Sequence, residues 1–318
     1  MEYCFMTIQI PVVRALLSLR MHLLCCVVVL VGACAQTLPV DDEVTNASMV
    51  PNQHKLRLAE REVEVWAWGE KNSGGVVLFS HGAQSAPWKY EPMIQQWIDR
   101  GLRVYAPLHV DSTDHPQTAD YPGFASWTAR LEDMELIANK FGGDAYVAAG
   151  HSYGALLALV KGGVSATKAG FEGEMDDARV SLVLAFSPPP AIPGLVDPEA
   201  FADLRVPALI QTGTRDIAMA DTTRGWRVHL DAFEQGPSGG ASYALIIDDV
   251  DHYFGGAICR PELPGPAQEA ELAVALDFSS LMIDAYHFDL ADAELSVKAA
   301  VNPSNTVEVL SKVTVLAK

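Results

Sequence analysis

The sequence predicts an α/β fold, a mostly parallel, doubly wound central sheet with helices on both faces, and three observations carry that expectation. First, "GVVLFS" (75–80), "LRVYAP" (102–107), "AYVAAG" (145–150), "RVSLVLAF" (179–186), "PALIQTG" (207–213) and "YALIID" (243–248) are short apolar runs without polar alternation. Strands of that kind are buried on both faces, as in a parallel sheet. Second, the segments between them carry apolar residues at helical spacing, and right-handed βαβ crossovers wind such a series into a covered sheet. Third, 49% hydrophobic and 19% charged residues over 318 positions suffice for a sizeable core and lack the polar bias of a disordered chain.

In chain order, Arg14 and Arg20 precede "LLCCVVVLVGACA", an apolar run short for a bilayer span but suited to the h-region of an export signal over residues 1–35. Its end, "LVGAC", resembles the lipobox of bacterial lipoproteins, which implies lipidation of Cys34 and attachment to the periplasmic face of a membrane. Ala33 and Ala35 offer a competing A-x-A cut, which would release a soluble periplasmic or secreted protein. An uncleaved anchor ranks below both, and translation could also start at Met6 or Met21. Residues 36–53 read as a polar tether and 54–318 as a single domain.

Within that domain "EVEVWAWG" (62–69) alternates in period two, as a strand with one face covered does. "YEPMIQQWIDRG" (90–101) and "FASWTARLEDMELIANKFGG" (124–143) read as helices closed by glycine. "PELPGPAQ" (261–268) reads as a loop, and "EAELAVALDFSSLMIDAYHFDL" (269–290) as one long terminal helix whose apolar stripe packs on the core. "SPPPAIPGLVDPEAFADLRV" (187–206) is too short for a bulky lid, so little or no lid insertion is expected.

The formal charge is −18, from 40 acidic against 22 basic side chains spread along the chain, and such a surface repels phosphate backbones. No nucleic-acid partner is expected. Four of the five cysteines, Cys4, Cys25, Cys26 and Cys34, fall in the export signal. Cys259 is alone in the body, a small packed hydrophobe with no internal disulfide partner.

Function concentrates at the carboxyl ends of parallel strands. After "AYVAA" comes Gly150-His151-Ser152-Tyr153-Gly154, a G-x-S-x-G between a strand and a helical run. The glycines let backbone segments approach closely, and the sharp turn lifts the serine hydroxyl to a helix N-terminus, where free N–H groups favour negative charge. The bland alternative is an ordinary helix entry. A serine needs a base, and the base needs a carboxylate to fix its tautomer. His252, after "YALIID", and Asp216, after "PALIQTG", stand at strand ends in the order Ser, acid, His. Asp248, Asp249 and Asp251 compete for the acid role but crowd His252 in sequence. The loop "SHGAQS" (80–85) offers the Ala83 N–H, which with that of Tyr153 would form an oxyanion hole. His81, Gln84, His109 and Trp88 are candidate pocket residues, with Tyr90, Tyr121 and Trp127 as further apolar walls.

"SHGAQS", "GHSYGA", "FSPPP", "TGTRD" and "DHYFGG", in this order over about residues 60–290, resemble the α/β-hydrolase superfamily and its bacterial dienelactone-hydrolase-like and platelet-activating-factor-acetylhydrolase-like branch. The resemblance implies the α/β-hydrolase fold and a serine hydrolase of small-molecule carboxylic esters without metal or organic cofactor. Ser152 stands where true dienelactone hydrolases use cysteine, so their substrate does not carry over.

Two other classes compete. "PLHVDSTDHPQTAD" (107–120) holds His109, Asp111, Asp114 and His115, metal-ligating residue types whose H-x-D-x-x-D-H spacing resembles, but misses, the H-x-H-x-D-H of metallo-β-lactamase-like enzymes. A non-catalytic binding protein on the hydrolase scaffold is the third reading, disfavoured because every triad part is present.

Overall fold

The computed structural model describes residues 50–59, 61–217 and 223–318. The residues read as an export signal, Cys34 and most of the expected tether lie outside the described residues. The strands are β1 (Asn52–Leu58), β2 (Arg61–Trp68), β3 (Gly75–Ser80), β4 (Leu102–Pro107), β5 (Tyr146–His151), β6 (Val180–Phe186), β7 (Ala208–Gly213), β8 (Ser242–Ile247) and β9 (Val313–Ala317). The helices are α1 (Glu91–Asp99), α2 (Trp127–Phe141), α3 (Tyr153–Lys161), α4 (Asp231–Glu234), α5 (Glu269–Tyr286) and α6 (Ala291–Ala300).

One sheet runs in the order β1-β2-β4-β3-β5-β6-β7-β8-β9. The pairs β1·β2, β2·β4 and β8·β9 are antiparallel, and the strands from β4 to β8 are parallel. Successive strand residues face opposite layers: Leu78, Ala148 and Val183 pack against α2, α3 and α4, while Val77, Phe79, Val147 and Leu184 pack against α1, α5 and α6. The apolar runs are thus buried on both faces, the doubly wound sheet that the sequence predicts.

All nine residues of α3 are buried. Fully burying Leu156, Leu157 and Leu159 stabilises by roughly 1.5–3 kcal/mol per side chain. The helix is therefore fixed by core packing, and Ser152 is its N-cap.

Two expectations change, and one strand is additional to those expected. "NQHKLRL" is the edge strand β1, so Asn52 and Gln53, read as tether, are already paired with Ala67 and Trp66. Its side chains are mostly exposed, which left little apolar pattern to read. The expected terminal helix ends at Tyr286 rather than Leu290, because the chain reverses at Asp289 (φ 55) with the Leu290 N–H bonded to the Asp284 carbonyl, and a further helix, α6, follows it. Strand β9 forms by pairing with β8 over a long sequence separation, which local patterning does not report.

Candidate functional site

Ser152 adopts φ 54 and ψ −123, a conformation that costs a non-glycine residue about 1–3 kcal/mol and persists only where its surroundings over-determine it. The Ser152 N–H donates to the Phe186 carbonyl at 2.8 Å, tying the turn to β6. A Cβ on Gly150 would lie 2.2 Å from the Gly154 carbonyl oxygen, and one on Gly154 would lie 2.0 Å from that of Ser80. Both glycines are therefore needed for the close approach of β5, α3 and β3. The Ser152 hydroxyl, half-buried, has no hydrogen-bond partner among the described residues.

The loop after β3 commits its N–H groups one by one. Gly82 donates to the Tyr90 hydroxyl at 2.9 Å, Gln84 to Asp111 Oδ2 at 3.1 Å and Ser85 to the Gly82 carbonyl at 3.2 Å. Ala83, between them, is exposed and donates to no acceptor among the described residues. Tyr153 is the first residue of α3, so its N–H has no intrahelical acceptor either. Both residues line one cleft of about 130 Å3 with Gln84, Asp111, Tyr121 and Phe124.

Asp216 and His252 meet: Nδ1 of His252 lies 2.7 Å from Asp216 Oδ1, while Thr212 Oγ1 donates to Oδ2 at 3.0 Å. The His252 side chain is 19% exposed and Asp216 is fully buried. His252 is held against the serine turn, since His151 Nε2 donates to the His252 carbonyl at 2.8 Å and the two rings are 4.8 Å apart. His151 must then accept at Nδ1 from the Tyr90 hydroxyl, 2.9 Å away. A chain of hydrogen bonds thus runs from Gly82 through Tyr90 and His151 to His252. Burial pulls His151 down to about 4, so it stays the neutral connector this chain requires. Burial also lowers His252 against the upward pull of Asp216, with His151 and His229 adding to the lowering. Although burial opposes it, the neighbouring His252 and His229 hold Asp216 far below the usual carboxylate range.

The competing acids are engaged elsewhere. Asp251 Oδ1 accepts the N–H groups of Tyr253 and Gly255, Asp248 accepts from Thr214 Oγ1, and exposed Asp249 pairs with Arg215.

Several expected pocket residues are not in the cleft lining. His81 and His109 are fully buried behind the loop, where His109 N–H donates to His81 Nε2 at 3.1 Å and His81 Nδ1 meets the Gly82 carbonyl at 2.7 Å. Trp88 turns away onto the Trp66 ring, 4.7 Å distant. Trp127 is core, its indole N–H donating to the Thr167 carbonyl, and Tyr90 is spent in the chain above. Gln84 and Tyr121 do line the cleft.

The metal-type residues of the 107–120 loop do not converge. His109 is held between Ser80 Oγ (2.9 Å) and Asp133 Oδ2 (2.7 Å), and Asp111 by Arg130 (2.7 and 2.9 Å). Asp114 pairs with Lys89, and His115 Nδ1 accepts the Gln117 N–H. Among the described residues the group of metal-type donors that does gather is Asp216, His229 and His252, whose ligating atoms lie within 4.8 Å of one another. The 2.7 Å contact from His252 to Asp216 is hydrogen-bond length, shorter than the roughly 3.3 Å between two ligands of a tetrahedral zinc. That pair is drawn together around a proton.

Two residues went unread in the sequence. Arg130, fully buried, donates to the carbonyls of His81 (2.8 Å) and Gly82 (3.1 Å) and to Asp111, and lies over the Tyr153 ring at 4.7 Å; it props the whole loop that carries Ala83. A signal existed: with Asp133, it falls on the stripe of Trp127, Leu131, Met134 and Ile137, a charge where the helix needs apolar residues. His229 is the second, and no local pattern marks it.

A profile of the alpha/beta hydrolase family matches residues 77–298. No curated protein matches the chain. Among solved structures, Thermogutta terrifontis esterase 2 phosphoramylated by tabun is similar at 14% identity, covering 77% of this chain and 97% of that one, with a TM-score of 0.54. The esterase from the same species with propionate bound gives 15% identity, 77% and 96% coverage and a TM-score of 0.51. A dienelactone hydrolase from Anabaena variabilis gives 17%, 71% and 96%, with a TM-score of 0.49. At these identities the structural likeness concerns the fold. The profile match, by contrast, runs from β3 into α6 across the serine turn, Asp216 and His252, well over half of the sequence. The chain belongs to the alpha/beta hydrolase family.

Proposed function

We propose that this hydrolase cleaves carboxylic esters through an acyl-enzyme. His252 takes the proton of Ser152 as the hydroxyl attacks the ester carbonyl, then returns it to the leaving alkoxide. Asp216 fixes His252 in the tautomer with Nδ1 protonated and stabilises the imidazolium as it forms. The N–H groups of Ala83 and Tyr153 receive the tetrahedral oxyanion, and water activated by His252 releases the acid. The observation that carries this reading is the 2.7 Å contact of His252 with buried Asp216, made while His252 is bonded through its own carbonyl to the residue preceding Ser152. The free Ser152 hydroxyl is consistent with it, because nucleophile–base hydrogen bonds often tighten only once substrate is bound.

A cleft of about 130 Å3 lies below the roughly 300–1,000 Å3 of sites for drug-sized ligands, which supports small or short-acyl esters. Export through residues 1–35 with lipidation of Cys34 is part of the same proposal, and rests on the sequence alone. The test of the activity is reaction with a fluorophosphonate probe followed by peptide mapping, beside an ester panel of rising acyl length. Label confined to Ser152 and turnover that declines with acyl length are expected. Turnover without label on Ser152 refutes the nucleophile assignment. For the leader, intact mass of membrane-derived protein should show a lipidated chain starting at Cys34, and an unmodified chain starting at Gln36 would sink that part.

A further inference from the structure

His229 lies at the base of the proposed triad, in a short 3-10 turn over Gly225–Leu230. It is buried, and its two nitrogens have unlike neighbours. Nδ1 is 2.7 Å from the Pro188 carbonyl oxygen, and Nε2 is 2.9 Å from Asp216 Oδ1, the same oxygen that meets His252. A carbonyl only accepts, so Nδ1 must carry a proton. A neutral ring would then present an electron-rich Nε2 to a buried carboxylate oxygen at 2.9 Å, a repulsive contact with no water to screen it. Protonating Nε2 turns that repulsion into attraction. The contact is not lined up as a directed hydrogen bond, so the attraction is charge on charge.

We infer that His229 stands as an imidazolium behind the triad carboxylate, positioning Asp216 and holding back the basicity of His252, and so sets where the acidic limb of the pH–rate profile falls. The inference rests on the triad reading above. Its direction follows from the sign of the charges. Asp216 stabilises protonated His252, and a cation on the same oxygen offsets part of that stabilisation. The two imidazole rings are 5.5 Å apart, so the cations also repel directly. Among the described residues the titratable or charged groups around His229 are Asp216 and His252 at the site, with His151 beyond; on its own side Asp231 and Glu234 are each paired with Arg224. Burial alone would lower His229, but Asp216 and the carbonyls of Pro188 and Ser187 outweigh it and hold the group above its ordinary value.

The experiment is the pH dependence of fluorophosphonate labelling at Ser152 in the full chain, for wild type, His229→Gln and His229→Phe. At 5.5 Å and an effective dielectric of about 20–40, loss of the cation should raise the acidic limb by about one to two pH units in both variants. Gln offers Asp216 a polar N–H in place of the cation and Phe offers none, so the plateau rate of Gln should exceed that of Phe. Wild-type protein that labels normally while both variants keep its limb overturns the role of His229 alone. Wild-type protein that never labels at Ser152 overturns the hydrolase reading and this inference with it. Should the variants fail to fold, long-range proton–nitrogen spectra of histidine-labelled wild type decide: both His229 nitrogens should still be protonated at a pH where an ordinary imidazole is neutral. A neutral tautomer there refutes the proposal.

Discussion

Ser80, His109 and Asp133 repeat the residue types of Ser152, His252 and Asp216, at the same end of the same sheet, and differ from them in three physical respects. The first set is wholly buried, whereas Ser152 is half-buried and His252 partly exposed. Ser80 ends a strand, in register with Gly150, while Ser152 stands at φ 54 ahead of a helix with free N–H groups beyond it. Finally, the Ser80 hydroxyl is spent: it donates to His109 Nε2, because His109 Nδ1 faces Asp133. Arg61 bonds Asp133, and buried Arg130 reaches Ser80 Oγ at 3.4 Å. Burial first, then the two guanidinium groups, keep His109 well below its ordinary value and hence neutral. Under the proposed triad, a serine hydrogen-bonded to a histidine bonded to an aspartate would not suffice for a nucleophile. On that reading access and backbone conformation make the difference.

The sharpest way to break the comparison is to remove each hydroxyl in turn. Ser152→Ala should lower ester turnover by at least about 10^4-fold with the fold retained, since a nucleophile acts as a unit with its base. Ser80→Ala should cost about 1–3 kcal/mol of stability, because it leaves buried His109 Nε2 without its donor, and should keep turnover per folded molecule within about tenfold. Initial rates beside denaturant titration separate the two. Equal losses of turnover per folded molecule would mean that the buried set takes part in chemistry.

The carboxylates repeat the contrast one step back. Asp216→Asn should lower kcat about 10^3–10^4-fold, because an amide cannot hold His252 in the required tautomer. Asp133→Asn should leave turnover per folded molecule within about tenfold, since its histidine partner His109 is wholly buried and its Nε2 is already bonded to Ser80. Asp251→Asn serves as the control for the acid assignment: its oxygen accepts from Tyr253 and Gly255, a function an amide oxygen can keep. Abolished turnover in Asp251→Asn, with Asp216→Asn active, would reverse the assignment.

His151 gives the open set a pH dependence. Folded, it is pulled down to about 4 by burial, against about 6.5 in the unfolded chain, so the unfolded state binds a proton over that window. Its contribution is intact above the unfolded value and is lost as pH falls from about 6.5 to 4, by up to about 3 kcal/mol for this fully buried group. In His151→Gln the stability should fall less over the same window. Parallel wild-type and variant curves from denaturation at stepped pH would exclude His151 as the neutral connector between Tyr90 and His252.

The contrast also marks what could be read in the sequence. The parallel strands were legible because burial on both faces leaves an uninterrupted apolar run, and the serine turn because its glycines are required by backbone contacts closer than any Cβ allows. The contact between Asp216 and His252 agrees with their places at strand ends. His81, His109 and Trp88 were drawn toward the cleft by sequence proximity, yet the loop folds them inward or onto another ring. Arg130 and Asp133 sit among apolar neighbours of α2, a conflict that local pattern can flag but whose partners only the tertiary fold supplies. His229 carries no flag, because its meaning lies in a carbonyl 41 residues away in sequence.

The smallest expected effect tests whether nearness to the triad is itself enough. Arg215 adjoins Asp216 in sequence and pairs with Asp249 at 3.2 Å, with side chains 61% and 76% exposed. In water such a pair gains little Coulomb energy and orders two side chains to do so. Arg215→Ala should therefore change stability by less than about 0.5 kcal/mol and turnover by less than about twofold. Asp216 keeps its buried partners Thr212 and His252 in that variant, and these, rather than the surface charge beside it, fix its position. A tenfold loss of turnover in Arg215→Ala, measured under the conditions that separate Ser152→Ala from Ser80→Ala, would show that the exposed rim bears on the triad and that burial alone does not divide the working groups from their surroundings.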